Sequence, residues 1–236
     1  MGDEWMANAP WAMKQEWHHV VFLHWPVSAE SLRYKIPEEL EIDEFNGTVW
    51  ISLVLFKAEK TRGRFTPPIP TVESYNELNV RTYVKYKGRT GVYFFSLDAD
   101  SFLAVKAAGT GGFLPYRHAD MEYDQHKGQW EFTSNRTHKG SFPESLHLKF
   151  RVVSKPIQSN PFEHWLTERY CLWTKPQKNL LRVDISHIPW NLHYVEGEIE
   201  VNTMANFLAK DLHQEKAISH YAKPVKVLFY PPVIEK

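Results

Sequence analysis

A chain of 236 residues, 43% hydrophobic and 24% charged, carries enough apolar material for a sizeable core. Its 28 basic and 28 acidic side chains cancel, which excludes the dense positive footprint of a nucleic-acid binder. Cys171 is the single cysteine, which excludes an internal disulfide and points to the reducing cytoplasm.

The opening MGDEWMANAPWAMKQEW lacks the basic region and apolar core of a signal peptide. Nowhere does an apolar run approach the ~20 residues that cross a bilayer, so no membrane partner is expected. Short apolar runs punctuated by Gly, Pro and Asn predict strands over Val20–Leu23, Thr48–Leu55, Leu78–Tyr86 and Gly91–Leu97. Further strands are predicted over Gln129–Thr133, Leu146–Val153, Leu180–His187 and Val225–Phe229. Ser28 caps a short helix that runs through Tyr34 and stops before Pro37. At Asn160-Pro161-Phe162-Glu163, Asn caps, Pro takes the first helical position and Glu joins the first turn. Phe162, Trp165, Leu166 and Tyr170 then share one helical face, which places Cys171 mid-helix as a buried thiol. A third helix is predicted over Met204–Leu212. No repeat or linker interrupts the chain, so residues 1–236 read as one α+β, mostly antiparallel β domain. The 9 Trp, 11 Tyr and 14 Phe suit a wide β interior and the walls of a small-molecule pocket.

One hairpin carries most of the chemistry. Glu77, Asn79, Arg81 and Tyr83 share one strand face, and Leu78, Val80, Thr82 and Val84 the other. Lys87-Gly88-Arg89-Thr90 supplies the turn, and Gly91–Leu97 returns as a run apolar enough to be buried on both faces. A loop of two or four residues puts Ser96 and Asp98 on the face of Glu77, Asn79 and Arg81. The shorter loop sets Glu77 opposite Asp98; the longer one sets Asn79 there. Such a row either meets solvent on a two-sided sheet or lines a wet cleft, where its groups must pair. In a cleft, desolvation and Asp98 are expected to raise Glu77 above the ~4.3 of a free glutamate.

Other chemistry is less well supported by the spacing. The 12 histidines form no metal-ligand motif; His187 and His193 share a parity but would sit ~20 Å apart on one strand. No metal or cofactor is therefore expected. Gly109-Thr110-Gly111-Gly112 lacks the Lys-Ser/Thr of a phosphate loop and reads as a turn. Arg169 is read as a salt-bridge anchor, and Trp190 as core, with pocket wall as its alternative.

Six stretches, taken in order, resemble one family. They are Phe22–Val27, Glu77–Val84, Gly91–Ala99, Leu114-Pro115-Tyr116, Glu168-Arg169-Tyr170 and His187-Ile188-Pro189-Trp190. Together they are similar to the YqjF-like proteins, an uncharacterised group in the acetoacetate decarboxylase-like superfamily. The resemblance implies a cone-shaped antiparallel β barrel with a smaller flanking sheet, a few helices and an internal pocket. It also implies an acid at Glu77 and a Schiff-base lysine directly after Pro115, followed by a second cation. Tyr116 and Arg117 stand in those two places. A phenol forms no imine with a ketone, and arginine stays protonated, so Schiff-base decarboxylation is not expected. Lys106, the nearest replacement, is read as an exposed strand lysine.

Two functions remain open. The first is a pocket for a small organic carboxylate or keto acid. There Glu77 would be the acid or base and Tyr116 a donor, with Asn79, Arg81, Asp98 and Arg117 as ligand-binding residues. The second is a non-catalytic module for protein interaction or self-association, with homo-oligomerisation left open.

Overall fold

The computed structural model describes residues 10–67, 73–109 and 114–235. In chain order the first elements are β1 (Met13–Val27), α1 (Ala29–Arg33), β2 (Glu41–Ile42), β3 (Val49–Gly63), β4 (Ser74–Tyr86) and β5 (Arg89–Ala99). Then come α2 (Phe102–Gly109), β6 (Tyr116–His126), β7 (Gln129–Arg136), β8 (Ser145–Val152) and α3 (Pro161–Thr167). The chain finishes with β9 (Cys171–Thr174), β10 (Leu181–Ser186), β11 (Leu192–Asn202), β12 (Ile218–Ala222), β13 (Val225–Phe229) and β14 (Val233–Ile234). The fold is α+β and mainly antiparallel, as expected.

The pairing pattern shows where a pocket can form. One edge of β1 pairs with β3; the other is divided between β13, along Met13–Trp17, and β12, along Val20–His24. A register shift between His18 and Val21 separates the halves, and His19 adopts a φ of 53° there. β5 is divided in the same way: β4 takes one edge, while β9 and β6 run parallel to opposite ends of the other. Strands β1, β3, β4 and β5 thus form a wall common to two closed circuits. One returns through β9, β10 and β13, the other through β6, β7, β8, β11 and β12. Within the second circuit β6, β7, β8 and β11 form the smaller antiparallel sheet.

A wall with an interior on each side must be apolar on both faces, and Val49–Phe56 of β3 is buried at every position. Leu53, Leu55, Leu78 and Val80 join Val21 and Leu23 in the larger core. Val54 and Phe56 turn the other way, with Val20 and Phe22. Glu77, Asn79 and Arg81 alternate with Leu78 and Val80, so they enter this second interior.

Both predicted capped helices form. Ser28 Oγ accepts from the Ser31 amide, and Asn160 with Glu163 makes a reciprocal capping box. Helix α3 nevertheless stops at Thr167, with Glu168 leaving helical geometry at ψ 82°. Tyr170 therefore lies beyond it, and Cys171 opens β9, a correction to the longer helix read from the apolar spacing. Met204–Leu212 holds turns and the start of a 3-10 turn, not an α-helix. Lys106 sits on α2 instead of a strand, exposed. His187 follows β10 while His193 belongs to β11, so the two share no strand. The glycine turn's Thr110–Gly112 lies outside the described residues.

Candidate active site

A cavity of about 500 Å³ lies between the common wall and the circuit through β9, β10 and β13. From the wall, Glu77, Asn79 and Arg81 enter it side by side from β4, with Phe22, Phe56 and Phe94 around them. Tyr116 enters at the first residue of β6, and Trp190 and His187 from the connection after β10. Aromatic faces make part of the lining: Trp17 stacks on Phe56 at 4.6 Å and lies parallel to Trp190 at 6.2 Å. Trp190 is thus both core and pocket wall.

Glu77 is 5% exposed, and its Oε2 accepts the Tyr116 hydroxyl at 2.9 Å. Burial pushes its carboxyl up to about 7, while hydrogen bonds from Tyr116 and Asn79 pull back and Asp98 adds a smaller upward push. The upward direction is the one expected from the sequence, with desolvation as the dominant cause. The same burial, with Glu77 beside it, holds the Tyr116 phenol well above its usual range. Tyr75 couples to Tyr116 and accepts from Gln15 Nε2 at 2.8 Å, and Gln15 Oε1 in turn accepts from Trp17. Asn79 gives its amide to Glu77, yet its Oδ1 has no partner among the described residues.

Arg81 is 8% exposed and forms no ion pair among the described residues. Its guanidinium lies 5.7 Å from the Phe22 ring centre, and Nε and Nη2 have no hydrogen-bond partner. These two nitrogens form one side of the guanidinium fork, the side that takes a carboxylate with two parallel bonds. Its imidazole neighbour does not offset the charge: burial first, then Arg81 and His220, drives the His24 pKa well below its usual value. Arg169, also at the cavity, is neutralised by Asp43 at 2.7 Å, and its Nε donates to the Trp165 carbonyl at 2.8 Å. The anchoring salt bridge expected of Arg169 is present, although the residue sits past the helix.

Asp98 and Arg117 are not part of this cluster. The turn is the two-residue form, with Lys87 and Gly88 at φ 49° and 79°, and Tyr86 faces Arg89. That register would have set Glu77 opposite Asp98. Phe95, however, is an extra residue: Val80 faces Ser96 but Arg81 faces Phe94. The bulge turns the end of β5 over, so Asp98 lies opposite Leu78 and Glu77 opposite Ala99. Asp98 then faces the other interior, where both its oxygens accept from Arg136, at 2.8 and 2.9 Å. Arg136 also pairs with Glu144 and donates to Ser96. Arg117 sits beside Asp98 in the parallel register and lines a separate open groove of about 1110 Å³, with Lys106 and Arg136. Its Nη1 donates to the Tyr116 carbonyl at 2.9 Å. It does not converge with Arg81, with which it was expected to bind one ligand.

Residues 14–226 match the sequence pattern of DUF2071, a family described as an uncharacterized conserved protein. This chain belongs to the DUF2071 family. The uncharacterized protein YqjF of Bacillus subtilis (strain 168) is 42% identical over 223 residues, which cover 94% of this chain and 91% of that one. Among solved structures, acetoacetate decarboxylase from Legionella pneumophila superposes with a TM-score of 0.67 at 15% identity, covering 100% of this chain and 92% of that one. The enduracididine biosynthesis enzyme MppR complexed with pyruvate gives 0.65 at 12% identity, covering 99% and 93%. The acetoacetate decarboxylase-like fold is therefore that of this DUF2071 chain.

Within that fold, no lysine lines the cavity among the described residues; Tyr116 takes the place after Pro115, and Lys106 lies at the groove. Sequence reasoning missed the hydrogen-bonded Gln15 and Tyr75, and it missed Arg136 as the partner of Asp98. Gln15 and Trp17 share a parity ahead of the first predicted strand, which is the one signal that pointed inward.

Proposed function

We propose that this protein binds a small organic acid in the internal cavity and exchanges a proton with it. The observation that carries the reading is the buried Arg81 fork, with Nε and Nη2 unpaired and no carboxylate paired with it among the described residues. A buried cation without a counter-charge is costly, and an incoming carboxylate supplies both the charge and the acceptors. Glu77, raised to about 7 and held by Tyr116, is an acid or base matched to neutral pH. Asn79 Oδ1 offers an acceptor for a hydroxyl or enol on the same ligand. A cavity of about 500 Å³ suits a small metabolite, and aromatic walls exclude water around it. The buried Cys171 thiol, pushed up to about 12, suits a protein of the reducing cytoplasm and no thiol chemistry. The alternative, a self-association module, is favoured by exposed Phe65, Phe102 and Phe142, but it leaves the Arg81 fork without a role.

The test is a thermal-shift screen of small carboxylic, hydroxy and keto acids on wild type and Arg81→Met. A ligand at a hundred times its dissociation constant adds ~2.7 kcal/mol to the wild type and nothing to the variant. Equal shifts in both proteins, or none in either, reject the reading.

A further inference from the structure

An open cleft of about 460 Å³ lies against the outer side of the cavity. Arg62 and His187 line both, so the cleft stands at the cavity's mouth. Three cations line it, Lys14, Arg62 and Lys226, and no Asp or Glu does among the described residues. Lys14 on β1 lies directly opposite Arg62 on β3. Like charges so placed across a strand pair repel. Glu16, opposite Lys226, is taken by Lys60 at 2.8 Å and approached by His18 at 3.5 Å. Arg62 is held over the Trp11 ring at 5.7 Å, which fixes its guanidinium at the cleft.

Three converging cations without a counter-charge suit a dianion such as a phosphate monoester, which carries about −1.5 to −2 at neutral pH. Such a group could not be desolvated among the aromatic walls of the cavity, but at its mouth it stays partly hydrated. We propose that the cleft is a phosphate site, and that the ligand is an organic acid with its carboxylate end at Arg81 and a phosphate-bearing end on Lys14, Arg62 and Lys226. The assignment of the carboxylate end rests on the function proposed above; the phosphate site rests on the cleft alone.

Two measurements separate these parts. Inorganic phosphate is titrated into the labelled protein while the Trp11 indole N–H resonance is followed, assigned with Trp11→Phe. A saturable shift is expected in wild type and in Arg81→Met, and its loss in Lys14→Gln/Arg62→Gln/Lys226→Gln. An unmoved resonance, or an unchanged shift in the triple variant, overturns the phosphate site and leaves the organic-acid reading standing. Next, phosphonoalkanoic acids of graded chain length are compared with the unsubstituted alkanoic acids by calorimetry. At one chain length the phosphonate should bind at least about tenfold tighter than its parent acid, and lose that gain in the triple variant. No gain at any length overturns the shared ligand. A phosphate shift together with alkanoic acids that bind Arg81→Met as well as wild type overturns the carboxylate end instead.

Discussion

Arg81 and Arg136 lie on opposite sides of the same wall, and the contrast between them separates structure from function. Arg136 reaches Asp98 with two hydrogen bonds and also pairs with Glu144, so one guanidinium serves two buried carboxylates. Burial pushes Asp98 up to about 6, against the hydrogen bonds and charge of Arg136 and the charge of Arg117. Arg81, itself buried, faces a cavity with two nitrogens unbound and no carboxylate paired with it among the described residues. A compensated ion cluster needs no ligand; an uncompensated cation beside a cavity is a site held ready at a cost in stability.

The largest expected effect breaks or upholds that contrast directly. Arg136→Met strands Asp98 and Glu144 and should cost about 3–5 kcal/mol in denaturant melts at neutral pH. Arg81→Met strands no carboxylate among the described residues and should leave stability nearly unchanged or raise it, while abolishing organic-acid binding. If Arg81→Met is the more damaging of the two, Arg81 is a structural ion and the cavity loses its anchor.

A slightly smaller effect belongs to Glu77→Gln. Burial raises the folded-state carboxyl from its ordinary 4.5 to about 7. Below about 4.5 the group is protonated in both folded and unfolded chains and contributes no difference. As pH rises from there to about 7, the unfolded chain releases its proton first, so stability falls; above 7 the penalty levels off. The shift corresponds to about 3 kcal/mol at 1.36 kcal/mol per unit. Glu77→Gln should therefore match wild type near pH 4 and exceed it by roughly that amount at pH 8. Parallel pH–stability curves would place the charge of Glu77 in solvent.

The alternation Glu77 to Val84 was legible because side-chain period alone decides it, and the Asn160 cap because its three residues act locally. What the sequence hid were events that one residue controls through tertiary packing. The bulge at Phe95 has no glycine to announce it, yet it reverses the face of Asp98 and moves it from the cavity to Arg136. Tyr116–His126 gives no strand signal because its charged residues break any apolar run, although it carries Tyr116 into the site. Helix α3 ends early where Cys171 pairs with Asp184 of β10 and Tyr170 packs against His187, contacts that apolar spacing along one element cannot foresee.

A more modest effect is expected from Tyr116→Phe. The phenol donates to Glu77 and so favours its ionised form. Its loss should cost about 1 kcal/mol and move the Glu77 midpoint upward from about 7, seen in the side-chain carboxyl resonance. A midpoint that falls would mean that Tyr116 is not the group holding Glu77.

The smallest expected effect is none at all, and it tests which side of the wall holds reactive chemistry. Borohydride with acetoacetate traps an imine only where a neutral amine meets the ketone. Among the described residues the cavity presents Glu77, Asn79, Arg81 and Tyr116 but no lysine. A phenol has no nitrogen to condense, and a guanidinium keeps its proton. Lys106 lies exposed on α2 at the separate groove, away from the cavity. The intact mass should therefore be unchanged after treatment at pH 7. An adduct mapped to Lys106 would transfer the chemistry to the groove of Arg117 and Arg136, and the contrast between the two arginines would then run the opposite way.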